Sequence, residues 1–319
     1  LLTDTTGKKS NAQIAREFDA AMNPAGTLGV FTTAKDRSTE LRDAVRAHAG
    51  NGTANGLWAQ VTGGKTKLKG ISTGAQDLDL DTDAYGLAVG GEAALQNITL
   101  GAAFMGGSGK TENDSVAGKD DFNYYGISFY AKTQVQGIDL EGDVSAAWLK
   151  SDLTVGGAAD VDTDTTTAVY SLGIQAKKTF NLGVDVTPFI GMDVYHIKSD
   201  GFTTNHGVSI EDANATIVEF PIGAEVKKAL QTSSGFSVAP SFSLAVVPTV
   251  GCKDIDSKVR FAGAESTYNF TFADDVKVRS QLGIEAQKDN FTLGLAAGYD
   301  WGNEERSAAS VQLRAKYAF

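Results

Sequence analysis

The chain predicts an all-β fold, an antiparallel transmembrane β-barrel of about twelve strands with an N-terminal α-helix in its lumen. Three observations predict it. From Gly56 onward apolar side chains recur at every second position, and successive residues of a strand point to opposite faces, so each segment has one apolar and one polar side. The connections alternate short and long, as they do at the two ends of an outer-membrane barrel. The last segment, Ser310 to Phe319, alternates without a break, with Val311, Leu313, Ala315, Tyr317 and Phe319 opposite Ser310, Gln312, Arg314 and Lys316. It stops on a terminal aromatic, where a closing strand meets the lipid–water boundary.

The first fifty residues differ from the rest. Ser10-Asn11-Ala12-Gln13 reads as a capping box opening a helix that Asn23-Pro24 would end. A second helix is expected from about Ser38 to His48, with Gly50 as its C-terminal cap. It is short and mostly polar, so it needs surroundings to be stable. The strands follow in order, each marked by its apolar face. The first five carry Leu57, Ala59 and Val61; Tyr85, Leu87 and Val89; Ile98, Leu100, Ala102 and Phe104; Tyr125, Ile127, Phe129 and Ala131; Ile138, Leu140, Val144, Ala146 and Trp148. The next four carry Ala168, Tyr170, Leu172 and Ile174; Val184, Val186, Ile190, Met192 and Val194; Val218, Phe220, Ile222, Ala224 and Val226; Phe236, Val238, Phe242, Leu244 and Val246. Val278, Leu282, Ile284 and Ala286, then Phe291 to Trp301, then the terminal segment complete the set. Long connections are expected near 71–83, 107–121, 152–165, 200–213 and 250–266, and short ones between them; only the last, around Asn303 to Ser307, is short on the expected long side.

Alternation alone does not say which face is outside, since a soluble barrel has an apolar interior. A Lys or Arg facing lipid at mid-bilayer costs roughly 2–4 kcal/mol. The charged faces, with Glu141, Asp193, Glu219, Glu225, Arg279 and Arg314, are therefore expected in a wet lumen. Tyr85, Trp148, Trp301, Tyr317 and Phe319 lie near strand ends on the apolar faces, as interfacial aromatics do. No apolar run approaches the ~20 residues of a membrane helix, which excludes helical membrane proteins and leaves barrels open. The net charge of −11 argues against nucleic acid as a partner. Cys252 is the only cysteine, so no intrachain disulfide can form. The opening residues Leu1-Leu2-Thr3-Asp4 carry no secretory signal, so the sequence is expected to be a fragment whose signal and upstream part are missing.

Leu41-Arg42-Asp43, followed by Gly56-Leu57-Trp58-Ala59-Gln60-Val61, resembles the start of the translocator domain of classical autotransporters, in which a helix with a Leu-Arg motif precedes a Trp-containing first strand. The terminal strand resembles the family's insertion signal, carried here by Gln312, Tyr317 and Phe319, with Arg314 standing where a Gly is usual. The resemblance covers roughly residues 38 to 319. It implies an outer-membrane translocator and anchor that delivers an N-terminal passenger to the cell surface, driven by folding outside rather than by a nucleotide. Residues 1–37 would be a partly helical passenger tail or linker, 38–50 the lumen helix and 56–319 a monomeric barrel. The implied partners are outer-membrane lipids, the barrel-assembly machinery, periplasmic chaperones and the chain's own passenger. Arg42 and Arg46, one turn apart, are expected either to face lumen carboxylates, with Glu141, Asp193, Glu219 and Glu225 as candidates, or to be solvated surface arginines. Some family members cut their linker after an Asn, but Thr32 and Thr33 occupy the matching positions, so cleavage is not carried over.

Catalysis usually needs a positioned His. His48 ends the helix, His196 lies on an apolar face and His206 falls in a long connection near Ser199 and Asp200. Gly109-Lys110-Thr111 lacks the Gly a phosphate loop requires, with Phe104 in its place. Asp77, Asp79, Asp81 and Asp83, and Asp160, Asp162 and Asp164, lack the Gly of a calcium loop, Thr82 and Thr165 standing there. They read as solvated acidic loops. No catalytic residue, metal ligand or cofactor is expected. A solute channel with an N-terminal plug, or a barrel hydrolase, are the alternative readings.

Overall fold

The structure is a computed structural model and describes residues 10–48, 55–72, 77–113, 115–156, 161–233, 235–303 and 305–319. Twelve strands close into one antiparallel barrel. They are β1 Gly56–Ser72, β2 Asp77–Leu95, β3 Ile98–Asn113, β4 Gly118–Val135, β5 Ile138–Val155 and β6 Val161–Lys177. Then come β7 Asp185–Ser199, β8, β9 Ser237–Gly251, β10 Val276–Lys288, β11 Phe291–Gly302 and β12 Arg306–Ala318. Strand β8 is assigned in two pieces, Ala213–Glu219 and Ile222–Lys227, because Pro221 between them has no N–H for the ladder. Its register is unshifted across the break against both β7 (Glu219↔Asp193, Ile222↔Ile190) and β9 (Glu219↔Thr249, Ile222↔Val246), so the pieces are one strand. Pairing of β1 with β12, from Gly56↔Ala318 to Leu68↔Arg306, closes the sheet and removes its edges.

The apolar faces point outward. Leu293, Leu295 and Ile284 are exposed on the outer surface, whereas Gln312 and Glu141 are buried inside. Along β5 the outward apolar band runs from Ile138 to Trp148. At a rise of about 3.3 Å and a tilt of about 40°, that stretch is about 25 Å tall, the apolar height of a membrane barrel. Aromatic pairs mark both rims. Trp148 stacks on Tyr125 at 5.3 Å and Tyr299 lies 5.9 Å from Trp301 at one end, with Tyr317 6.4 Å from Phe319 at the other. The end that holds Gly56 and Phe319 has the tight turns. Gln136 and Gly137, both at positive φ (52° and 75°), make a two-residue turn whose twist suits a hairpin.

Three of the expected long connections are instead mostly strand: β1 reaches Ser72, β3 reaches Asn113, and β5 and β6 leave only a few residues between Val155 and Val161. Above the aromatic rim the wall continues and its polarity inverts. Lys65, Asp81, Lys110, Asp121 and Asp152 face out, while Leu68, Leu80, Phe122, Leu153, Ile197 and Ile217 are buried inside. A barrel standing in water has this arrangement. Asp81 and Asp83 belong to that outer strand face, paired with Lys65 and Lys67, rather than to a loop. The other two long connections form short strands, Phe202–Thr203 and Ser209–Ile210, and a hairpin, Asp254–Phe261 with Ala264–Thr271, which pair as a four-stranded sheet over the mouth.

Helix α1 spans Asn11–Met22, capped as expected by Ser10, whose hydroxyl accepts from Gln13 N at 3.2 Å. A single turn, α2 Pro24–Thr27, leads to Gly29, at φ 63°, where a Cβ would meet Leu80 at 2.8 Å. Helix α3 then runs from Val30 to His48, beginning eight residues before the expected start at Ser38. The expected boundary between linker and lumen helix at 37/38 therefore falls inside one continuous helix. Gly50, the expected cap, lies outside the described residues. Leu28 and Phe31 from these helices pack into the inverted upper barrel, Phe31 lying 5.7 Å from Phe270 and 6.2 Å from Phe272.

Candidate functional site

Helix α3 has 19 residues, about 28 Å at 1.5 Å per residue, enough to run the apolar height of the barrel. Below its first turns it is polar except for a buried strip of Leu41, Ala44 and Val45, and the wall supplies partners for its charged sides. Lys35, Thr39, Arg42 and Arg46 fall on one face. Lys35 Nζ donates to Glu219 Oε1 at 2.5 Å, and Lys277 Nζ donates to the same oxygen at 2.8 Å. The Thr39 hydroxyl donates to the Tyr195 hydroxyl at 3.1 Å. Arg42 lies over the Tyr195 ring at 4.6 Å, and its Nε donates to Asp143 Oδ2 at 3.0 Å. Arg46 forks onto Asp193, with Nη2 to Oδ1 at 2.6 Å and Nη1 to Oδ2 at 3.1 Å. The two pairs are cross-linked, Arg42 Nη1 lying 3.7 Å from Asp193 and Arg46 Nη2 3.6 Å from Asp143. Gly173 on β6 leaves room for this square of charges: a Cβ there would sit 2.5 Å from Asp143 Oδ1 and 2.7 Å from Arg42 Nε.

A second face, about a quarter-turn round the helix, is acidic and meets basic wall. Arg306 Nη2 donates to Asp36 Oδ2 at 2.5 Å. Arg279 Nη1 donates to Asp43 Oδ1 at 3.1 Å and its Nε to Asp300 at 3.2 Å. At the foot of the helix the His48 ring stacks on Trp58 at 4.3 Å, and Trp58 Nε1 donates to the Tyr130 hydroxyl at 2.9 Å. Lys316 Nζ donates to the His48 carbonyl at 3.1 Å, a cation on an orphan helix-terminal carbonyl.

Of the four carboxylates expected opposite Arg42 and Arg46, only Asp193 is there. Glu141 pairs with Lys177 at 2.5 Å, Glu219 holds the two lysines, and Glu225 lines a cavity beside the helix. The main acid for Arg42 is Asp143, two residues along the same lumen face as Glu141. Alternation places both inside, but which one meets the arginine depends on strand stagger. Leu41 is fully buried, against Gly126. Arg279 and Arg314 face the lumen, Arg314 Nε donating to Gln60 Oε1 at 3.1 Å. Gln312 faces inward beside Arg314, while Tyr317 and Phe319 face outward. Asp36 and Asp43, seven residues apart, carried the signal for the second face, and it was not read. Ser199 is buried and takes a hydrogen bond from Thr167 at 3.0 Å, inside the wall rather than in a cleft.

The helix leans on β4 to β6. Along β9 to β12 it leaves a cavity of about 820 Å³, with Asp43, Glu285, Arg314 and Lys227 among its lining. A family model for the autotransporter beta-domain matches residues 57–300. The chain belongs to the autotransporter beta-domain family.

Solved autotransporter barrels share the fold of this β-domain. The translocator domain of NalP from Neisseria meningitidis superposes with a TM-score of 0.71 at 14% identity, covering 90% of this chain and 96% of that one. The transport unit of AIDA-I from Escherichia coli gives 0.64 at 14%, covering 92% and 99%. The Bordetella BrkA beta domain gives 0.59 at 15%, covering 83% and 100%. No curated protein sequence matches the chain. This β-domain is thus an outer-membrane translocator barrel for an N-terminal passenger.

Proposed function

We propose that α1 to α3 are the trailing linker of the passenger, left in the pore after transport, and that the two charged faces of α3 lock it there. The buried square of Arg42, Arg46, Asp143 and Asp193 carries this reading. Charges taken out of water are held by opposite charges close by, and here these come half from the linker and half from the wall. Gln312, Tyr317 and Phe319 are proposed as the signal read by the barrel-assembly machinery, periplasmic chaperones delivering the unfolded chain, and the barrel as monomeric. A reporter fused before Ser10 tests the translocator: it should become accessible to protease added outside intact cells. A reporter that stays in the periplasm behind a folded barrel refutes the proposal.

The cavity beside α3 favours residual leakage over a sealed pore. Its polar lining would carry ions, while α1, α2 and the upper core narrow the outer mouth. Excision of residues 10–48 should turn a small, intermittent conductance into a large steady one in planar bilayers. A channel that owed nothing to the helix would conduct equally with and without it.

A further inference from the structure

Outward lysines above the aromatic rim are not all alike. Lys65, Lys67, Lys110 and Lys119 each pair with a carboxylate on the same outer surface. Lys150 on β5 and Lys198 on β7 are also exposed there, and among the described residues neither ammonium lies within ion-pair distance of a carboxylate. They flank β6 on one surface, two residues apart in register and so about 12 Å between Cα atoms, within the combined reach of two lysine side chains. Lys150 stands opposite Thr166 of β6 and Asn123 of β4, and Lys198 opposite Ala168 of β6 and Asn214 of β8. Their height is set by the chain: Lys150 is two residues above Trp148, and Lys198 is four residues above Val194, the last outward apolar residue of β7. At about 2.5 Å of vertical rise per residue, that is about 5–10 Å beyond the apolar band, the level of lipid headgroups.

We infer that this patch seats a phosphate-bearing headgroup of an outer-leaflet lipid, with Lys150 and Lys198 on the phosphate and Asn123, Thr166 and Asn214 as neutral hydrogen-bonding neighbours. The surroundings choose a lipid over a free anion. The row above the lysines is acidic: Asp121, Asp152 and Asp164 stand directly opposite one another on β4, β5 and β6. A phosphate approaching from solution meets those carboxylates first. A phosphate tethered to chains lying against Trp148, Tyr125 and Tyr170 arrives from below, under the acidic row, where the lysines are open. Basic side chains at a lipid surface attract anionic headgroups in this way, and the aromatic shelf fixes the depth.

The probe is lipid A with both phosphates, added to the purified full chain in detergent micelles and counted as retained lipid by native mass spectrometry. The wild-type barrel should retain it, and removal of the phosphates from the lipid should weaken retention by about tenfold or more. Lys150→Gln with Lys198→Gln should give the same loss, and Lys150→Arg with Lys198→Arg should preserve binding. Lys65→Gln with Lys67→Gln, at lysines already engaged by Asp81 and Asp83, should leave it unchanged. Retained heat-modifiable migration on gels shows that each barrel is folded. Equal retention of phosphorylated and dephosphorylated lipid by the wild type overturns the inference without any variant. So does displacement of the lipid by millimolar inorganic phosphate, which would make the patch a free-anion site. The readout is independent of passenger transport, so its failure leaves the translocator assignment standing.

Discussion

Arg42 is fully buried, yet it belongs to a helix that is not viable alone in water. Its guanidinium holds one wall aspartate directly and leans toward a second, while the Tyr195 ring covers its face. Truncation would leave the buried Asp143 without its hydrogen-bonded cation, with only the longer 3.6 Å approach of Arg46. Arg42→Ala should therefore destabilise docking of the helix by about 3–5 kcal/mol, measured by urea unfolding of the barrel or by the open probability of the pore. A double-mutant cycle between Arg46 and Asp193 should show strong coupling, since their fork is bidentate. Coupling near zero would mean that the square is a bystander. Gly173→Ala presses a methyl into the same charges and should loosen the helix in the same direction while every ion-pairing group stays in the chain. Its conductance should resemble that of Arg42→Ala.

At the scale of elements, alternation revealed every barrel strand and the correct outward face, because the membrane allows one assignment of oil and charge. Three things stayed hidden, each for a physical reason. The strand extensions above the rim put Lys and Asp outside and Leu, Phe and Ile inside, so a pattern read for a membrane looked like polar loop. The start of α3 was missed because its buried stripe, Val30, Ala34, Leu41 and Val45, is narrow and is interrupted by Arg37 and Ser38 where the helix passes from an apolar core into a charged lumen. The β-branched pair Thr32 and Thr33 adds a weak local preference against helix. The partner of Arg42 was missed because stagger, not alternation, decides between Glu141 and Asp143. These element boundaries make a prediction of their own. A barrel lacking only residues 10–29 keeps all of α3 and its ion pairs, and should stay largely closed. Loss of residues 10–48 should open it. Equal conductance of the two truncations would place the seal in α1 and α2 instead.

The whole molecule is two barrels stacked on one set of strands. The lower is inside out, with lipid against its apolar face and ions in its lumen. The upper is ordinary, with a packed interior of Leu28, Phe31, Phe122, Leu153 and Ile255 under the four-stranded sheet. The two halves are stabilised by different forces, so they should fail separately. In the upper half the stabilisation is burial of apolar surface away from water, and the helices contribute much of that surface. Phe31→Ala or Leu28→Ala removes a fully enclosed side chain and should cost about 2–5 kcal/mol of local stability. The lower barrel needs none of it, because lipid solvates its outer face whatever the mouth does. The double variant should therefore keep its heat-modifiable migration and its membrane position, while α1 and α2 become susceptible to protease added from outside. Arg42→Ala should produce the converse, a leaky pore under a mouth that still resists protease. If a lesion in either half disrupted both properties together, the stacked halves would be one cooperative unit, and the helix could not be released from the lumen while the cap above it stayed packed.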